Sequence, residues 1–260
     1  MDWFQAMILG IIQGLTEFLP ISSTGHLLLG RHLFHLDDAG LFLDAMLHFG
    51  TLIAVITVYW RELLDLLKKP FSRIGLLLIA GTIPTVIIGL SFKDYFEEIS
   101  KTGVTVGWEF LATGFILWAA DSMKEKGFKK LHQISFADAI VIGTFQGAAI
   151  LPAISRSGLT IAAALFRKID KETAAYFSFF LSIPAIAGGC LLQAKDLFTE
   201  QAESISFGAL AIGTIMSALF GYIAVRWMIS LLKKGTLKGF AIYVWGLGLI
   251  IVVLQLTGKF

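Results

Sequence analysis

The chain has 260 residues, of which 56% are hydrophobic and only 15% charged, and its mean hydropathy is +0.78. Soluble domains carry about 25% charged residues, so this composition excludes them and specifies a polytopic helical membrane protein. A net charge of only +2 argues against a nucleic-acid surface, and the single Cys190 excludes an internal disulfide or a cysteine-built metal cluster.

In chain order, the first hydrophobic region is 3–35. Its opening residues, MDWFQAMILG, lack a basic leader and a small-residue cleavage site, so the segment is expected to be retained. Six uninterrupted apolar stretches follow, at 41–60, 74–92, 104–121, 174–194, 207–227 and 240–257. Each is read as long enough for a helix across a hydrocarbon core of about 30 Å. Regions 3–35 and 135–166 are instead broken in the middle by Pro, Ser and Gly. Each reads as two half-length helices that enter and leave on one side, with a polar turn at membrane depth. Irregular backbone is tolerated there only where protein or water surrounds it.

Lys and Arg mark the sides. Connections 61–73 and 122–134 hold four each and 167–173 and 228–239 three each, whereas 93–103 has two, and 195–206 and the C-terminal tail one each. The rich loops are expected to be cytoplasmic. Both termini then lie outside, the first re-entrant pair enters from outside and the second from the cytoplasm. Trp3, Trp60, Trp108, Trp118, Trp227 and Trp245 read as interface anchors, and the glycines and alanines of 205–221 as close helix packing. Asp37, Asp38, Asp94, Glu97, Glu98, Asp196, Glu200 and Glu203 read as solvated outer loops.

An offset of 133 residues lays Gln13-Gly14 on Gln146-Gly147, Ser22 on Ser155, Thr24 on Ser157 and Gly25 on Gly158. The same offset superposes both broken regions and all three spans. The fold expected is therefore all-α: one integral membrane domain with repeat units 1–133 and 134–260, each a re-entrant helix pair plus three transmembrane helices. An odd number of crossings sets the units in opposite orientations, an inverted-topology repeat in which broken helices meet near the midplane.

The polar turns PISSTGH and PAISRSGLT can then build one pocket. The first unit brings Gln13, Glu17, Ser22, Ser23, Thr24 and His26, and the second Gln146, Ser155, Arg156, Ser157 and Thr160. Gln13 and Glu17, four apart, share a helix face. Ser23 and His26, three apart, could share one on the next half-helix. Arg156 at membrane depth needs a partner, either Glu17 or a bound anion. Arginine, hydroxyls and helix N-termini suit a phosphate group. Glu17 repels a bare anion, so it reads as a divalent-metal ligand, an acid/base group or the ion partner of Arg156. His26 can move a proton near neutral pH or simply pack, while Ser22 and Ser155 also fit as helix caps. His32, His35, His48 and His132 have no metal-ligand spacing and are assigned no site role.

The two motifs resemble those of the bacterial undecaprenyl-diphosphate phosphatases of the bacitracin-resistance (BacA/UppP) family. The family pattern (E/Q)-x-x-x-E matches Gln13 to Glu17, its Ser-Ser-Thr-Gly-His run matches Ser22 to His26, and P-G-x-S-R-S-x-x-T matches Pro152 to Thr160, with Ala153 where the family has Gly. The resemblance implies an enzyme that hydrolyses undecaprenyl diphosphate to undecaprenyl phosphate and inorganic phosphate. It further implies lipid-carrier recycling for the cell wall and bacitracin resistance, because bacitracin sequesters the diphosphate. A divalent cation (Mg2+ or Ca2+), a site open to the outer face of the cytoplasmic membrane, a membrane-lipid substrate and no nucleic acid come with it, and a homodimer is the assembly expected. By resemblance Glu17 and Gln13 serve metal or acid/base work, Ser23 is the nucleophile, His26 its proton partner, and Ser155, Arg156 and Thr160 bind phosphate. Ser22, Thr24, Gly25, Gln146, Ser157 and Gly158 complete the expected substrate-binding set. Attack by Ser23 and attack by an activated water both remain open. A lipid transporter or flippase is the alternative, since inverted repeats with broken helices are a transporter design. Against it, Glu17 falls on Ile150 and Arg156 on Ser23 under the offset, so the halves differ in chemistry.

Overall fold

A computed structural model describes residues 1–36, 41–92, 95, 96, 99, 103–123, 127–196 and 205–258. Asp37, Asp38, Asp94, Glu97, Glu98, Glu200 and Glu203, read above as outer loops, lie outside the described residues. Eleven α-helices are present among those described: α1 Trp3–Phe18, α2 Ser23–Leu33, α3 Leu41–Val58, α4 Trp60–Lys68, α5 Arg73–Ser91, α6 Val106–Asp121, α7 Phe136–Ala148, α8 Arg156–Phe166, α9 Lys171–Asp196, α10 Phe207–Lys234 and α11 Lys238–Leu256. The chain is a multi-pass membrane protein. Helices α5, α9, α10 and α11 are long and apolar enough to cross a bilayer, and α3 with α4 makes a fifth candidate if the bent pair counts as one.

Two expectations shift in detail. The stretch 104–121 forms a helix of 16 residues, starting at Val106 after a left-handed Gly103. The connection after 60 is not a loop but α4, turned 82° from α3. Its sequence, WRELLDLLK, is amphipathic and no residue in it is buried, as expected of a helix lying in the interface rather than across it.

Both broken regions are helix pairs. α7 has 13 residues and α8 has 11, too short at about 1.5 Å per residue for a core of about 30 Å. Helices α1, α2, α7 and α8 start at 3, 23, 136 and 156, so the offset of 133 holds for both pairs. It holds in the packing too. α1 crosses α10 so closely that a Cβ on Gly10 would strike the carbonyl oxygen of Gly213, and α7 crosses α5 where a Cβ on Gly143 would strike that of Gly81. Gly14 sits against Gly221 as Gly147 sits against Ile88. The small residues of 205–221 thus do the close packing expected. Each unit's first helix is seated on a span of the other unit. α3 packs on α9 and α6 on α11.

Of the tryptophans, Trp245 departs from the anchor reading. Its Nε1–H donates to Leu111 O at 3.2 Å, and the ring packs against Phe115 and Trp118, tying α11 to α6. Basic residues next to the second pair are partly spent on ion pairs: Lys129 and Arg167 both hold the fully buried Asp138, which caps α7.

Candidate active site

Helical spacing turns Gln13 and Glu17 to one side at the end of α1, and Gln13 Nε2 donates to Glu17 Oε2 at 2.8 Å. The Glu17 carboxylate is buried, and isolated in hydrocarbon it would be costly. Here every oxygen has a partner. Ser23 Oγ donates to Oε2 at 2.6 Å, and Arg156 pairs with Oε1. Ser23 and Arg156 are the first residues of α2 and α8, the same position in the two units. The expected convergence of the two motifs is therefore centred on one carboxylate.

A further group stands beside it. His48 of α3 brings Nε2 to 3.7 Å from Glu17 Oε2, while its Nδ1 lies 2.7 Å from the Asp44 carbonyl. A carbonyl only accepts, so Nδ1 carries the hydrogen and Nε2 is the nitrogen offered to the site. Asp44 is in turn held by Arg31 at 2.5 Å. Ligand spacing gave no reason to choose His48. The missed signal is that an apolar span carries an imidazole one turn after Asp44.

The turns are built by caps. Ser155 Oγ accepts from Gly158 N–H at 3.1 Å and Ser22 Oγ from Gly25 N–H at 3.3 Å, so these N–H groups serve the caps. Ser22 Oγ also donates to Pro152 O at 3.1 Å, joining the turns directly. Ser22 has φ +71°, a region that costs a non-glycine residue about 1–3 kcal/mol and persists only where surroundings enforce it. Two residues of α6 that sequence reading passed over hold the second turn: Glu109 accepts from Ala153 N–H at 2.6 Å, and Thr113 from Ser155 N–H at 3.2 Å. Ala153 itself is buried with an ordinary negative φ, so its methyl needs no glycine conformation. A side chain at Gly25, by contrast, would run into the Phe110 ring and Ala153.

A cavity of about 440 Å³ opens at this carboxylate, lined by Glu17, Ser22, Ser23, Thr24, His48, Gln146, Ser155 and Arg156 and walled by apolar residues of α5 and α9. Not every expected ligand reaches it. Ser157 Oγ donates to Leu19 O, Thr160 Oγ1 bonds Ser178 Oγ at 2.6 Å, and both residues are buried behind the wall. Gln13, Gly25 and Gly158 likewise sit behind the lining. His26 is not brought to Ser23. Its Nδ1 is 2.6 Å from Ser22 O, its Nε2 is 2.8 Å from Tyr243 Oη, and its ring stacks on Tyr243. Although only three residues after Ser23, His26 is held against Tyr243 of α11.

Three buried polar atoms around the site lack a hydrogen-bond partner: Arg156 Nη1, Gln146 Oε1 and Gln13 Oε1. A guanidinium with one arm on Glu17 and the other unpaired suits a phosphoryl oxygen. Residues 6–250 match the family described as Bacitracin resistance protein BacA. The chain belongs to this family. Over the full length of both chains it is 65% identical to a Bacillus thuringiensis protein named undecaprenyl-diphosphatase 4 and 64% identical to a Bacillus cereus protein named undecaprenyl-diphosphatase 3. It is 49% identical, again over both full lengths, to the undecaprenyl-diphosphatase of Carboxydothermus hydrogenoformans.

The BacA-family site offers a cation little protein. Among the described residues no three His, Cys, Asp or Glu side chains gather as a ligand group. Magnesium commonly takes one or two carboxylates and completes its shell with water and substrate phosphate. Glu17, with neighbouring hydroxyls and the oxygens of a diphosphate, fits that pattern.

Proposed function

We propose that this protein hydrolyses undecaprenyl diphosphate to undecaprenyl phosphate and inorganic phosphate in the bacterial cytoplasmic membrane, from a site open to the outer face. This recycles the lipid carrier for wall synthesis and confers bacitracin resistance. The observation that carries the reading is the carboxylate of Glu17 holding Ser23 from one motif and Arg156 from the other, beside an apolar-walled cavity. The names of the relatives favour a phosphatase over a transporter or flippase.

Ser23 Oγ attacks the terminal phosphorus, and the bond from that phosphorus to the bridging oxygen breaks. Glu17 Oε2 takes the serine proton and passes it to the departing phosphate. Water then hydrolyses the phosphoserine, losing its proton to Glu17, which returns one to Ser23 Oγ. Arg156 swings its free arm onto the equatorial oxygens and neutralises developing charge. His26 acts on the turn, holding the Ser22 carbonyl rather than the Ser23 hydroxyl. A divalent cation, Mg2+ or Ca2+, held by Glu17 with Gln13 behind it, would supply further neutralisation of the diphosphate. The ready Ser23–Glu17 hydrogen bond favours this route over direct attack by water.

The test is phosphate release by purified protein in detergent, where transport has no meaning. We expect turnover of undecaprenyl diphosphate, abolition by chelation and recovery on adding Mg2+ or Ca2+, and acid-stable label on Ser23 after quenching with substrate labelled in its terminal phosphate. Absence of phosphate release with metal present would overturn the reading. The expected homodimer is read from light scattering of the same detergent complex.

A further inference from the structure

Glycine inside a helix costs about 1 kcal/mol relative to alanine, so glycines in mid-span call for a reason. Gly10, Gly14, Gly50, Gly81 and Gly143 have one, because an added Cβ would meet the backbone of a crossing helix. Gly188 and Gly189, adjacent in the C-terminal third of α9, do not: a Cβ on either meets nothing within 4 Å. Both line the cavity that starts at Glu17 and Arg156. Other glycines with open surroundings exist, such as Gly246, but this pair alone among them borders the cavity. The glycines therefore keep a length of cavity wall bare.

What the bare wall faces is apolar and open to lipid. Val86 and Leu90 of α5 and Leu192 of α9 line the same cavity, yet are 48%, 61% and 55% exposed. A residue that lines the cavity and is also exposed on a membrane-crossing helix marks a lateral opening to hydrocarbon. The opening lies between α5 and α9. A ligand held by its phosphates at Arg156 can thus keep an attached chain in the bilayer by passing this wall.

Resting on the proposed phosphatase reading, we propose that Gly188 and Gly189 are specificity-determining residues that leave room for the first isoprene units of a polyprenyl diphosphate on their way to the lipid. Side chains there obstruct long-chain substrates and spare diphosphates too short to reach the wall. Neither glycine touches the phosphoryl chemistry.

Gly188→Leu and Gly189→Leu are compared with the wild type on undecaprenyl diphosphate and on isopentenyl diphosphate in the same detergent and metal. Because open space surrounds both positions and leucine favours helix, the variants should elute and melt as the wild type does. We expect kcat/KM for undecaprenyl diphosphate to fall at least about tenfold, with isopentenyl diphosphate changed less than about twofold. Gly189→Ala, which adds one methyl, should fall between. Equal losses on both substrates, or no loss on either, would overturn the inference while leaving the phosphatase reading intact. A wild type that releases phosphate from neither substrate would instead sink that reading, and this inference with it.

Discussion

Between α1 and α2 the chain turns in four residues, 19–22, whereas between α7 and α8 it takes seven, 149–155, although the helices that follow start at equivalent places. The difference begins with one proline. Under the offset Pro20 corresponds to Ala153, and Pro152 to Leu19, so the second turn has its proline one residue earlier. Proline disfavours helix at the residue before it, which accounts for one residue of the difference; α7 stops at Ala148, three short of the equivalent of Phe18. Position 17 is thus still helical in the first unit and holds a carboxylate. Its counterpart, Ile150, has left the helix and contributes only apolar wall. The matched cap residues then diverge at the next position, Ser23 against Arg156. On the proposed mechanism, matched scaffolding with a shifted proline and different side chains at 17/150 and 23/156 takes a nucleophile and base from one unit and an anion holder from the other. The lesson is that symmetry here supplies placement, while asymmetry supplies chemistry.

That division of labour can be broken from the first unit most sharply. Ser23→Ala and Glu17→Gln should each lower kcat/KM by at least about 1,000-fold, because one removes the attacking oxygen and the other its proton acceptor. Wild-type-like rates in Ser23→Ala would shift the chemistry to water and leave the serine a hydrogen-bond donor. From the second unit, Arg156→Lys keeps charge and loses the forked donor geometry. We expect a loss of about 100-fold, close to 3 kcal/mol of transition-state stabilisation, in a protein of unchanged melting temperature. Arg156→Ala should be no more active, and less stable with Glu17 left unpaired.

His48 lies outside both motifs. Its replacement by Gln should cost about tenfold in kcat/KM, or about 1.4 kcal/mol, since the amide keeps a polar atom near Glu17 but not the imidazole. An unchanged rate would make His48 a bystander to the carboxylate. The smallest effect separates the caps. Ser155→Gly loses a cap from ordinary extended backbone, and the melting temperature should drop by the equivalent of a few tenths of a kcal/mol. Ser22→Gly loses the same kind of cap but relieves a positive φ, so its melting temperature should stay within error or rise. Equal drops would mean that the strain at Ser22 has no energetic weight.

Sidedness is checked independently with single cysteines in a Cys190→Ser background. A cysteine at position 94 should react with an impermeant thiol reagent in intact cells, and one at 233 only after lysis. Labelling at 233 from outside would overturn the orientation.

Most of the scaffold was legible because hydrophobic runs, broken by polar turns whose Ser22 and Ser155 share one offset, leave few alternatives. The starts of α1, α2, α7 and α8 keep that offset throughout. What escaped was of a different kind. α4 was missed because nine residues with four charges read as a basic loop until the structure shows a helix turned 82° from α3. Glu109 and His48 were missed because neither belongs to a motif, and Ala153 and Glu17 reach them only through helix packing. His26 was paired with Ser23 by spacing, but spacing of three fixes a face only roughly, and Tyr243 from the last helix claims the ring. Local pattern locates a pocket; the third dimension decides which members of the pattern look into it.

The crossing of α1 over α10 through Gly10 and Gly213 has a bearing on biosynthesis. A nascent chain emerges from the ribosome N-terminus first, and domains normally fold as they appear. Here the earliest helix finds its tight neighbour only when nearly the whole protein has been made. Until then the helix pair carrying Glu17 waits beside the growing bundle without the span that seats it, although Arg156 has already been made. Truncation after residue 196 should leave an inserted but unassembled fragment, open to membrane proteases, so quality control can recognise unfinished copies by their unpaired first hairpin.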